Sequence, residues 1–212
     1  MKIILVQQAA ADMEWDTKYD SASFERAAEA ERGCAAAAVS ARRSSASAYR
    51  VYTGTSRASA ETAELLFETD APAEATPLLD DVPVRAFRDS VKPLPLWLWR
   101  AMAEAQWRSG SSRQPETKKE TERRVGQLAD RLEAEERDCI VICRGLTMTA
   151  LKSVLRRRGF LIEGGGLTPR PLDRVRATKR SLHCGGCRHN CLLSEAKCDI
   201  GKEKARRQGI RA

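Results

Sequence analysis

Four cysteines crowd together near the end of the chain: Cys184, Cys187, Cys191 and Cys198, in the spacing C-x2-C-x3-C-x6-C. Thiolates at this spacing can close a tetrahedral shell around one soft metal ion. Gly185 and Gly186, between the first two, supply the unusual backbone angles that a tight knuckle needs. Zinc is the expected occupant and an iron–sulfur cluster the alternative. Thiolates suit both, and the spacing differs from the common ferredoxin runs. His183 and His189 flank the thiols, but four cysteines already suffice as ligands, so both are read as supporting or surface groups.

Charge follows the cysteines. The 212 residues carry a formal net charge of +8. Residues 1–150 hold 21 Lys+Arg and 24 Asp+Glu, a balance of −3, while residues 151–212 hold 16 and 5, a balance of +11. A near-neutral body is thus followed by a basic, Cys-rich tail. Part of that charge would balance a metal held by four thiolates. A phosphate-contacting, nucleic-acid-associated role is the weaker reading, because no aromatic residue follows Phe160 to stack on bases.

No apolar run approaches the ~20 residues of a membrane span, so no membrane partner is expected. The apolar opening from Met1 to Val6 stops at Gln7 and is too short for a signal-peptide core. A cytoplasmic protein is the expectation, and there clustered cysteines favour metal over disulfides. Cys34, Cys139 and Cys143 stand apart and read as small buried apolar groups.

The body must be built from alternating strands and helices. Lys2 to Val6 reads as a buried strand, Phe24 to Ala36 as a helix, and Tyr49 to Thr53 as a second strand. Ser56 is placed to cap a helix running to about Phe67. Ala35 to Ala48 has no clear pattern. Residues 70–95 hold five of the eight prolines and form an irregular excursion. Trp97, Trp99 and Trp107 mark a helix wedged beneath it. Val125, Leu128 and Leu132 line one face of a charged helix from Thr117 to Arg137. Cys139 to Cys143 is another buried strand, and Thr147 to Arg158 a helix stopped at Gly159. This order predicts an α/β domain, a three-layer sandwich with a mostly parallel sheet, over residues 1–166. The tail would be residues 167–212, beyond Gly164-Gly165-Gly166.

Three segments in this order carry a resemblance. Lys2-Ile3-Ile4-Leu5-Val6-Gln7-Gln8-Ala9 resembles the first strand and loop of the histidine phosphatase superfamily, the phosphoglycerate mutase-like fold. Val51 to Glu64, with Ser56-Arg57-Ala58, resembles its second phosphate-pocket segment. Cys139 to Gly145 resembles the strand and turn that carry its second pocket histidine. The resemblance implies a phosphate pocket formed by Gln7, Arg57 and Arg144, with Asp81 or Asp80 as the acidic residue of the excursion.

It also implies a loss. The family's first loop bears Arg-His-Gly, whose histidine attacks phosphorus; here those positions read Gln7, Gln8 and Ala9. The second histidine position falls at Arg144. A glutamine amide neither attacks phosphorus nor forms a phosphohistidine. The expectation is a non-catalytic pseudo-phosphatase that binds a phosphate-like anion, a phosphorylated ligand or a partner. A phosphatase with a non-histidine mechanism is the first alternative, and the nucleic-acid-associated metal knuckle the second. Arg144 paired to a carboxylate, with no ligand at all, is the reading opposed to anion binding.

Overall fold

The computed structural model describes residues 1–39, 41–164 and 170–179. The elements run β1 (Lys2–Gln7), β2 (Lys18–Tyr19), α1 (Ser21–Gly33), β3 (Ser44–Ser45), β4 (Arg50–Thr53), α2 (Arg57–Leu66), β5 (Phe67–Glu68) and β6 (Glu74–Ala75). After a 3-10 turn at Pro77–Leu79 come β7 (Leu94–Pro95), α3 (Leu96–Ser109), α4 (Lys118–Glu135), β8 (Cys139–Cys143), α5 (Gly145–Arg157), β9 (Phe160–Glu163) and β10 (Arg174–Lys179).

The central sheet has the order β6-β4-β8-β1-β10-β9. The first four strands pair in parallel, and β10 runs antiparallel to both of its neighbours. The result is a mixed α/β fold with a mostly parallel sheet and, among the described residues, five α-helices. Buried parallel strands need apolar groups on both faces, and β8 supplies them. Cys139, Val141 and Cys143 join the core under α4 and α5, while Ile140 and Ile142 join the core under α2. The stripe Val125, Leu128 and Leu132 is buried as its spacing requires.

Local chemistry sets the helix limits. Ser56 accepts the Ser59 amide at 3.3 Å and starts α2. Thr117 and Glu120 form a reciprocal capping box at the start of α4. Gly159 adopts φ 84° directly after α5, a left-handed stop that glycine takes without strain. Helix α1 begins at Ser21, earlier than the expected Phe24, because Asp20 and Ser23 form their own capping box. Gly33 ends it.

Besides the two-residue strands β2, β3, β5, β6 and β7, two longer strands were not foreseen. β9 follows the Gly159 stop, and β10 lies at residues assigned from sequence to the basic tail. The arginines of β10 read as tail charge, yet Val175 and Ala177 alternate with them and point into the core. The sheet therefore continues past residue 166. Of the tryptophans, Trp99 and Trp107 are buried, whereas Trp97 is 68% exposed on the opposite side of α3. Trp99 stacks on Phe24 at 5.4 Å and donates its indole N–H to the Tyr19 carbonyl. This cluster, with Ala86 and Phe87, holds the excursion against α1 and α3.

Candidate functional site

A cavity of about 530 Å³ opens at the carboxyl ends of β1 and β8. This is the edge where open parallel sheets receive ligands. Gln7 ends β1, and Gln8 enters the loop beyond it. Arg144 and Gly145 join β8 to α5, and Asp81 follows the 3-10 turn. All five line the cavity.

Gln8 is 3% exposed and held in place. Its backbone N–H donates to the Cys143 carbonyl at 3.0 Å. Its side-chain oxygen accepts the Ser59 hydroxyl at 2.5 Å and the Ser56 hydroxyl at 3.5 Å. The same serines shape the start of α2, so the second segment and the first loop are physically joined. Gln7 is also buried, and among the described residues its side-chain oxygen has no hydrogen-bond partner.

Arg144 bridges two carboxylates. One guanidinium nitrogen donates to Asp81 at 3.2 Å, and the other pairs with Glu31 of α1. Burial pushes the Asp81 carboxyl above its usual range; Arg144 pulls the other way, and Glu31 and Asp80 add to the upward push. Burial also weighs on the Arg144 charge, but Asp81 and Glu31 more than offset it and raise its pKa. Glu31 lies 3.7 Å from Arg100 of α3, whose guanidinium sits over the Trp15 ring at 4.3 Å.

Of the two candidate acids, Asp81 lines the cavity. Asp80 serves the turn after β4, accepting the Thr55 amide at 2.6 Å and the Thr55 hydroxyl at 2.8 Å. A side chain at Gly54 would meet the Leu79 carbonyl at 3.1 Å, which explains the glycine there.

The structure does not bring Arg57 to the cavity. Its side chain is 69% exposed and pairs with Glu61, one turn along α2, at 2.6 Å. Three arginines that sequence reasoning missed line the cavity instead: Arg32 of α1, and Arg100 and Arg108 of α3. They belong to no motif. Only the packing of α1 and α3 beside the sheet edge assembles them, although the tryptophans around Arg100 mark that helix as one closely packed against its neighbours.

Cys139 and Cys143 are buried as the sequence suggests, whereas Cys34, at the end of α1, is only half-buried. Burial pushes the Cys139 and Cys143 thiols up to about 12, so neither is a thiolate near neutrality. Cys184, Cys187, Cys191 and Cys198 lie outside the described residues. Among the described residues, no cluster of three or more His, Cys, Asp or Glu side chains is arranged to hold a metal ion. No helix described is long and apolar enough to cross a membrane.

No protein-family profile matches the chain, and no curated protein does. Among solved structures, a mycobacterial glucosyl-3-phosphoglycerate phosphatase in complex with VO3 is similar at 13% identity and a TM-score of 0.44, covering 74% of this chain and 82% of its own. The native form of that phosphatase is similar at 11% identity and a TM-score of 0.44, covering 82% and 95%.

Proposed function

We propose that this chain is a non-catalytic, histidine-phosphatase-like protein that binds a phosphate-bearing ligand in the cavity at the carboxyl edge of its sheet. One observation carries the reading. The two positions where the sequence resemblance expects histidines hold Gln8, fixed by two serine hydroxyls, and Arg144, fixed by two carboxylates. Neither side chain is a nucleophile toward phosphorus. Four guanidinium groups, Arg32, Arg100, Arg108 and Arg144, line the cavity with three carboxylates, Glu31, Asp81 and Glu104, so an anion binds there by displacing carboxylate partners from the guanidinium groups.

The ligand must compete with Asp81 for Arg144. Burial already favours the neutral form of Asp81, so a released Asp81 can take up a proton rather than remain as a buried charge. This lowers the cost of opening the ion pair. Arg57, paired on the surface, takes no part.

For the tail, Cys184, Cys187, Cys191 and Cys198 are proposed to hold one structural zinc ion, with an iron–sulfur cluster as the alternative. Metal analysis and an absorption spectrum of anaerobically purified protein distinguish them: zinc is colourless, a cluster is not.

The function is tested by turnover of 4-nitrophenyl phosphate. Release at the buffer rate is the expected result. Turnover that disappears in Asp81→Asn or Gln8→Ala would overturn the proposal in favour of a non-histidine phosphatase. Salt-sensitive binding of a generic DNA duplex, with no binding of phosphomonoesters, would favour the nucleic-acid reading instead.

A further inference from the structure

The cavity has two unlike walls. One is the sheet edge, with the polar groups of Gln8, Asp81 and Arg144. The other contains Trp15, Phe24 and Val84, all part of the apolar cluster that includes Tyr19 and Trp99. That wall is continuous with a packed core. Phe24 is 1% exposed and stacked on Trp99, and Trp15 meets Tyr19 edge-on at 5.9 Å. Met13 and Leu146 extend the apolar lining. A free inorganic phosphate needs a few donors around one small anion and leaves such a wall unused. A volume of about 530 Å³ is that of an organic ligand site.

From this we infer that the ligand is amphipathic: an acidic phosphate head at Arg144, joined to an apolar or aromatic body lying against the Trp15–Phe24–Val84 wall. The inference rests on the anion-binding reading above and names the class of ligand. Arg100 links the walls, since it lies over Trp15 while facing Glu31. An aromatic body beside Trp15 would remain within reach of this guanidinium. Arg32 and Arg108 also line the cavity, each paired with a carboxylate of its own helix, Glu29 and Glu104.

The test is calorimetric titration of the full chain with three probes: 1-naphthyl phosphate, inorganic phosphate and 1-naphthol. The expected result is naphthyl phosphate binding at least about tenfold more tightly than inorganic phosphate, with naphthol weaker than naphthyl phosphate. Equal affinity for naphthyl phosphate and inorganic phosphate would overturn this inference and leave anion binding standing. Equal affinity for naphthol and naphthyl phosphate would overturn the phosphate head and anion binding with it. No binding of any probe overturns both. Ala28→Leu, which adds bulk in the lining, should weaken naphthyl phosphate about tenfold and spare inorganic phosphate. The wild-type comparison decides the question even where this variant folds poorly.

Discussion

Two charged clusters sit at opposite ends of the same sheet, and they are built differently. At the amino ends of the strands, Arg50 and Arg131 pair with Glu74 and Glu135, two charges of each sign. The two guanidinium groups lie over the Tyr52 ring, at 5.8 and 5.6 Å, and the Tyr52 hydroxyl donates to Glu135 at 2.7 Å. At the carboxyl ends, Arg144 answers both Glu31 and Asp81, and Arg100 stands 3.7 Å from Glu31. The first cluster is largely solvated. The second is sequestered, with the Asp81 side chain 11% exposed, and borders a cavity. A closed, balanced network seals the sheet. The other opens on the cavity, where an entering anion competes with Asp81 and Glu31 for Arg144.

The largest expected effect comes from breaking the second cluster. Arg144→Met leaves Asp81 without its cation and Glu31 with Arg100 alone, and should cost about 3 kcal/mol by urea unfolding. That is the lower part of the range for a broken buried pair, because the arginine side chain is 27% exposed. The same variant should lose phosphomonoester binding. Tyr52→Phe, at the other end, removes one hydrogen bond and should cost about 1 kcal/mol with binding unchanged. If the two variants weaken binding equally, the contrast between the ends is wrong.

The clusters also differ in the sign of their pH dependence. Asp81 is held above its usual range, so the folded state retains its proton after the unfolded chain has released one. Its contribution to stability is present in acid and is lost as pH rises through the raised value. The Arg131 hydrogen bond to Glu74 and the Tyr52 hydrogen bond to Glu135 hold those carboxyls low. Their contribution is present above the usual carboxylate range and is lost as pH falls through the lowered values. Unfolding midpoints followed from about pH 3 to 7 should show Asp81→Asn removing the loss on alkalinisation and Tyr52→Phe reducing the loss in acid. The smallest effect should be that of Arg57→Gln: exposed and outside the cavity, it should leave both binding and unfolding midpoints where they are.

The sheet-edge half of the site was legible in the sequence because it lies on short, strongly patterned segments. An aliphatic run ending in Gln7-Gln8, and Cys139 to Cys143 ending at Arg144, each place a loop at the same edge. The role of Ser56 as a cap was equally plain. The other half was not legible. Glu31, Arg32, Arg100 and Arg108 sit on amphipathic helices, where charges usually face water, and tertiary packing alone turns them toward a cavity. Arg57 misled for the opposite reason: its segment fits the pattern, but Glu61 at the next turn holds it on the surface. β10 was hidden by its own charge. Three basic residues in Arg174-Val175-Arg176-Ala177-Thr178-Lys179 masked the two apolar ones that reach the core.

Phosphorus-31 resonance of 1-naphthyl phosphate, incubated with the purified full chain, tests binding without hydrolysis in one measurement. The expected spectrum shows the ester signal broadened or shifted by wild-type protein and restored to its free position by Arg144→Met, with no inorganic phosphate accumulating above the buffer control. A growing inorganic phosphate signal that depends on Asp81 or Gln8 would contradict the account, as would an ester signal that the wild-type protein leaves unchanged.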